Sequence, residues 1–381
     1  MKPPSRIGSA VALTAAALAG FAALAGSAGA ATTHGQSGGA SHVLFVQTDN
    51  TAGNQVVAYH RAADGTLTLA STYDTGGLGG QLTGSVTDHL ASQGSLTYDP
   101  AHGLLYAVNA GSNTITVFAA SGDKLQRRQI IRSGGTFPVS VTVHGNLVYV
   151  LNALKGGSVQ GYRAADGLLH HIAGSRRALH LNPSATPQFT NTPGQVAFSP
   201  GGSQLLVTTK ANGNDIDVFG VRANGRLSAS PVVNSEPNTV PFAVTFDPAG
   251  DLVVSEAGTN ALATFALCSD GTVTLLHRVG TGQSATCWVV SVHRHLFASN
   301  TGSGNVTRYA SGPAGQLTLL GQTTTDPGTV DAAAGPHGRY LYVQTGGNGI
   351  VDEFRIQHGG LTEIGSVAVA GAVGGEGIVA A

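Results

Sequence analysis

Seven times along this chain a strand-like run ends in an aromatic residue, meets a glycine turn within a few residues, and resumes on an apolar side chain. The aromatics are Tyr59, Phe118, Tyr162, Phe219, Phe265, Tyr309 and Phe354. Their turns are Asp64-Gly65, Ser121-Gly122, Asp166-Gly167, Asn224-Gly225, Asp270-Gly271, Ala314-Gly315 and Gly359-Gly360, followed by Leu67, Leu125, Leu169, Leu227, Val273, Leu317 and Leu361. Successive aromatics lie 59, 44, 57, 46, 44 and 45 residues apart. A period near 45 with two longer gaps marks a repeat architecture.

One unit runs from Ser95 to Gly135. Ser95–Tyr98, Leu104–Val108, Thr114–Phe118 and Lys124–Ile131 are β-branched or aromatic runs, bounded by Asp99-Pro100-Ala101-His102-Gly103, Asn109–Asn113 and Ser121-Gly122. Such runs between Gly, Asn, Asp and Pro clusters read as strands and hairpins. Four strands per unit, repeated seven times, predict an all-β, seven-bladed β-propeller over 42–381. The first unit starts at its second strand, His42–Gln47, and lacks an innermost one. Gly374–Val379 resembles an innermost strand with nothing after it, so the C-terminal strand is expected to complete blade 1 and close the ring.

Residues 1–30 read as a secretory leader. Lys2 and Arg6 form a charged n-region, Ile7–Ala25 is apolar, and Ala28-Gly29-Ala30 is a small-residue cleavage pattern. No twin arginine is present and no cysteine follows the cleavage pattern, so a secreted protein is expected, with a short flexible segment over 31–41 before the propeller. No later stretch is apolar and long enough to span a membrane. Without Lys2 and Arg6 the chain carries 17 basic and 20 acidic residues, a formal charge of −3, which offers no basic patch for nucleic acid. Cys268 and Cys287 fall on an outer turn and an inner strand of successive units, a separation too wide for a bridge, so both are expected to be free.

Alternating strand direction puts the blade-to-blade connections and the loops between second and third strands on one face. Both long gaps, Gly76–Gly94 and His180–Gly194, belong there, with the loops at 109–113, 152–158, 210–215, 256–260, 300–305 and 344–348. A site is expected on this long-loop face, near the axis. Histidines 102, 144, 293, 295 and 337 instead occupy or flank tight hairpin turns spread around the opposite face. They cannot converge on one ion, so neither metal nor cofactor is expected.

Leu104–Asn113, Val148-Tyr149-Val150-Leu151-Asn152 and Leu296–Asn305 look like YVTN-type propeller repeats. With the turns Ser199-Pro200-Gly201-Gly202, Asp247-Pro248-Ala249-Gly250 and Gly335-Pro336-His337-Gly338, the chain resembles the lactonase family, which includes 6-phosphogluconolactonases and carboxymuconate cyclases. The resemblance covers 42–381. It implies a cluster of histidine, arginine and glutamate at the channel mouth, with arginine holding an anion and histidine or glutamate moving a proton. The family's Pro-His-x-His falls here on Asn191-Thr192-Pro193-Gly194, its Pro-Arg-His on Pro241-Phe242-Ala243, and a later Pro-Arg on Thr329-Val330. A glutamate ending a second strand is kept as Glu256.

Glu256 and Glu376 are therefore the candidate catalytic pair, set against the reading that they accept hydrogen bonds from channel amides. Phe137, Gln195, Phe242, Asn109, Asn152 and Asn300 are the candidate ligand-binding residues. Trp288 lies on an inner strand beside the mouth, where packing between blades competes with ligand stacking. The expectation is an exported monomeric propeller that binds a small molecule or protein partner at its long-loop face, having lost most of the family's His and Arg positions. The alternatives are a divergent lactone hydrolase or cycloisomerase, and a structural surface-interaction protein.

Overall fold

The computed structural model describes residues 42–381 as seven four-stranded antiparallel sheets arranged as propeller blades, one of them carrying an extra two-residue strand. The leader expected over 1–30 and the segment 31–41 lie outside the described residues. The first sheet comprises Val43–Gln47, Gln55–Arg61 and Leu67–Asp74, with Ile378–Ala380 as its innermost strand. Leu44 pairs with Ala380 and Val46 with Ile378, so the C-terminal strand closes the ring as the repeat predicts. Blade 2 spans Leu96–Arg132 and blade 3 begins at Pro138; blades 4 to 7 begin at Val196, Pro241, Thr286 and Thr329. Among the described residues no helix is long and apolar enough to cross a membrane.

Burial explains the strand compositions. Second strands such as Val43–Gln47 and Leu104–Asn109 are buried at every position, and they are near-continuous apolar runs. Outer strands such as Lys124–Arg132 are solvated on one side, and their charged and polar residues alternate with Leu125 and Ile131 toward the neighbouring blade.

The aromatic-and-glycine rhythm is the docking code between blades. In five blades the register of the third and fourth strands shifts by a β-bulge at the run-ending aromatic: Tyr59, Phe118, Phe265, Tyr309 and Phe354. The bulge sharpens the local twist of the outer hairpin. Tyr162 and Tyr309 then donate their hydroxyls to Arg132 O at 2.6 Å and Val279 O at 3.2 Å, each at the end of the preceding blade's outer strand. All seven turn glycines have φ between 59° and 97°, the left-handed region that other residues rarely adopt. Gly65 is further pinned from outside: a Cβ there would lie 2.3 Å from the Tyr340 ring, while Tyr342 donates its hydroxyl to Gly65 O at 2.7 Å.

Of the two long connections the first folds inward, whereas residues 180–191 of the second are exposed or half-exposed. Leu82, Leu90 and Ala91 of the first are buried against Phe137, Val139 and Val196. The second contains a single helical turn, Gln188–Asn191. Cys287 is buried and Cys268 exposed, and both are free thiols.

Candidate functional site

The two insertions and the loops of blades 4, 5 and 6 enclose a cavity of about 610 Å³. Ser85–Asp88 and Ala91 line it from the first insertion, and Phe189 from the second. Lys210 and Ala211 come from the loop after Gln204–Thr208, and Phe242 heads the inner strand Pro241–Phe246. Cys287 and Trp288, on the inner strand Thr286–Val292, complete the wall together with Thr301 and Gly302. Phe242 and Trp288 pack with ring centroids 4.9 Å apart at 58°. Trp288 is also anchored, since its Nε1 donates to Ser92 O at 2.6 Å.

Charged groups at this wall are already committed. Lys210 is fully buried; its Nζ donates to Ala91 O at 2.6 Å, Phe189 O at 2.7 Å and Thr192 Oγ1 at 3.3 Å, and lies 5.0 Å from the centre of the Phe242 ring. Burial pulls its pKa down to about 7, against the favourable charge of Asp88. The Asp88 carboxylate accepts from the Leu90 amide at 2.8 Å and the Ser92 amide at 3.0 Å. Burial pushes Asp88 up to about 6 despite those amides and Lys210. The Cys287 thiol is pushed up to about 12 by burial, which leaves it protonated and unreactive at neutral pH.

Behind this wall, toward the ring closure, lies a cluster of buried carboxyls. Glu376 Oε1 accepts from Gly94 N at 2.9 Å, and its Oε2 accepts from Ser92 Oγ at 3.3 Å. Asp49 Oδ2 accepts from Glu376 N at 2.7 Å and its other oxygen from Gln47 Nε2. Asp331, on the inner strand Thr329–Ala334, accepts from the Ala332 amide at 2.9 Å and lies close enough to Glu376 for their charges to oppose each other. Burial raises all of them: Asp49 to about 8, Asp331 to about 7, and Glu376 well above the usual carboxylate range, the last also through the neighbouring acids. No group of three or more His, Cys, Asp and Glu among the described residues is arranged to hold a metal ion.

The candidates read from sequence are dispersed over this architecture. Phe242 lines the cavity; Glu256 and Glu376 do not. Glu256 is buried and gripped by Arg278 from the outer strand of its own blade, with Nε–Oε2 and Nη2–Oε1 both 2.7 Å. Its carboxyl is nevertheless raised, because burial outweighs the guanidinium. Arg278 also reaches Glu236 at 2.8 Å. Phe137 packs in the hydrophobic core beside the first insertion, its amide donating to Asn113 Oδ1 at 2.7 Å. Gln195 ties blade 4 to blade 5 by accepting from Val244 N at 2.6 Å.

Two of the three asparagines brace their own blades, and the third, Asn152, ties blade 3 to the connection from blade 2. Asn109 Nδ2 donates to Thr116 Oγ1 at 2.9 Å, Asn300 Nδ2 to Thr307 Oγ1 at 2.8 Å, and Asn152 Nδ2 to Ser133 O at 3.1 Å. The groups that sequence reasoning missed are Asp88 and Lys210. Both lie in segments assigned to the long-loop face, and neither carries a local motif.

No protein-family model and no curated protein matches the sequence. Solved structures do. The chain superposes on a putative 6-phosphogluconolactonase from Bacteroides fragilis with a TM-score of 0.71 at 18% identity, covering 90% of this chain and 98% of the other. A protein from Lactobacillus plantarum gives 0.71 at 20% identity over 89% and 98%. The periplasmic gluconolactonase of Pseudomonas aeruginosa gives 0.69 at 19% identity over 88% and 98%. The fold of this chain is therefore the seven-bladed propeller of the 6-phosphogluconolactonase-like proteins.

Proposed function

We propose that this chain is an exported propeller that binds an uncharged, largely apolar small molecule in the cavity on its long-loop face. The observation that carries this reading is the wall itself. A space of about 610 Å³ falls within the range of drug-sized ligand pockets, and Phe242, Trp288 and Phe189 give it flat apolar surface. The charged groups at the wall, Lys210 and Asp88, have their hydrogen bonds satisfied by the protein. An anionic ligand would find no free cation to replace its hydration, so a sugar phosphate is a poor fit. Polar handles are limited to neutral groups such as Thr87, Thr190 and Thr301.

The positions that the family resemblance assigns to catalytic cations carry Thr192, Gly194, Phe242, Ala243 and Val330, which favours binding over the family reaction. The leader over 1–30 supports export, as does the fold likeness to a periplasmic gluconolactonase. Titrating neutral aromatic lactones against the protein while following Trp288 emission tests the reading. Saturable change is expected, and a panel that leaves both emission and calorimetry flat would sink it.

A second reading, hydrolysis of an uncharged lactone, is favoured by Asp88. A carboxyl titrating near 6 at a cavity wall suits a general base for water attack. Turnover of neutral lactones that disappears in Asp88→Asn would establish it over simple binding.

A further inference from the structure

Lys210 stands at a junction of four elements. It follows Thr209 in left-handed conformation, φ 52°, and its loop is closed by Asn214 N donating to Lys210 O at 2.7 Å. Its ammonium reaches Ala91 O in the insertion between blades 1 and 2. It also reaches Phe189 O and Thr192 Oγ1 in the insertion between blades 3 and 4. The Phe242 ring from blade 5 lies 5.0 Å away. Both insertions form cavity wall. They meet again at the surface, where Thr83 N donates to Gln188 Oε1 at 2.9 Å, but that bond is exposed to competing water.

A lysine serving as nucleophile or anion holder needs a free lone pair or a free N–H turned to the ligand. A fully buried ammonium with three protein acceptors has neither. What it does instead is gather two backbone oxygens and a threonine hydroxyl, drawn from two separate insertions, around one charge. Charge-assisted hydrogen bonds in a dry interior are strong, and losing them strands buried carbonyls. The charged and titratable groups facing Lys210 are Asp88 from the first insertion and Cys287 from the inner strand of blade 6; the second insertion presents neutral oxygens.

We propose that Lys210 is a latch, a positioning residue whose single ammonium holds both insertions closed over the cavity and so sets how fast a ligand enters and leaves. This rests on the cavity being a ligand site, and the test separates the two. Hydrogen–deuterium exchange on the full chain at pH 6 would compare wild type with Lys210→Met. Protection is expected to fall together in 82–91 and 187–193, while strands such as Leu104–Asn109 and Leu252–Glu256 keep theirs. Loss in one insertion alone, in neither, or uniformly through the blades would overturn the latch.

Should Lys210→Met not fold, wild type carries the test from pH 6 to pH 9, with rates corrected for intrinsic exchange. Neutralising the amine removes one donor, so both insertions should loosen together, and unchanged protection overturns the proposal. Nile red, a neutral apolar dye, probes the cavity itself. Its dissociation should be roughly tenfold faster or more from Lys210→Met, since the loss of even one of the three charge-assisted hydrogen bonds accounts for about that factor. Failure of Nile red to bind wild type would overturn the ligand site and the kinetic half of the proposal, whatever the exchange shows.

Discussion

Glu376 Oε1 accepts a hydrogen bond from the Gly94 amide at 2.9 Å, joining the approach to the ring-closing strand to the entrance of blade 2. The closing segment is thus held on two sides, by strand pairing to Val43–Gln47 and by this carboxyl. Removing Gly375–Ala381 deletes both and exposes the inner edge of blade 1. The truncated chain should melt at least about 5 °C lower, as seen by circular dichroism. A truncated form as stable as the full chain would contradict the closure.

Stability should decline with pH across the neutral range. Asp49, Asp88 and Asp331 titrate in the folded protein at about 8, 6 and 7, each above the 3.8 of a free carboxyl. Between those values the folded state holds protons that the unfolded chain has released, so unfolding becomes easier as pH rises. The benefit is complete below about 4 and gone above about 8. Lys210, lowered from 10.5 to about 7, acts in the opposite sense and returns stability only between those two values. Urea midpoints should therefore be higher at pH 5 than at pH 8, and Asp49→Asn should flatten the slope.

The turn glycines are not equivalent. Gly65 combines φ 97° with a Tyr340 ring 2.3 Å from any added Cβ, whereas Gly122, φ 59°, has nothing within 4 Å. Gly122→Ala should cost about 1 kcal/mol from the backbone alone, and Gly65→Ala clearly more. Chemical denaturation of the two variants side by side measures the difference, and equal costs would show that blade docking tolerates the extra methyl.

Glu256 is predicted to matter for stability and not for the cavity. Glu256→Gln breaks a buried bidentate pair and leaves Arg278 with Glu236 alone, a loss of about 1–3 kcal/mol. Ligand affinity should be unchanged. An affinity loss exceeding the stability loss would return Glu256 to the site.

Within the cavity, Phe242→Ala should weaken a bound ligand by about tenfold or more by removing one of the two packed aromatic faces. Trp288→Phe keeps an apolar ring and loses the bond to Ser92 O, so its effect should be smaller. Calorimetry reads both without relying on the only tryptophan.

The fold was legible because its information is local and repeated. A bulge at an aromatic, a left-handed glycine and a hydroxyl aimed at the preceding blade all require particular residues at set spacing. Even the closing strand showed, since blade 1 began one strand short. The site was less visible for the opposite reason. Asp88 comes from the insertion after blade 1 and Lys210 from a loop of blade 4, far apart in sequence, and a buried lysine has no sequence signature. Glu256 ends a second strand as expected, but the sequence does not show that Arg278, across two strand pairings, reaches it. Asn109, Asn152 and Asn300 stand out in sequence because each braces a turn or a blade connection, a demand of the propeller that looks from sequence like a demand of a ligand.

The pairing of Leu44 with Ala380 gives the molecule a folding problem of high contact order. Six blades are closed by neighbours in sequence, but the first is completed by partners more than three hundred residues away. The loop-closure entropy of that encounter falls on a three-residue strand, so annealing the seam should be the slow event in refolding. A nascent chain cannot perform it until Ile378–Ala380 has been synthesised. Until then the inner edge of blade 1 stays unpaired, and a fusion at the C-terminus would load the one joint the ring needs to shut.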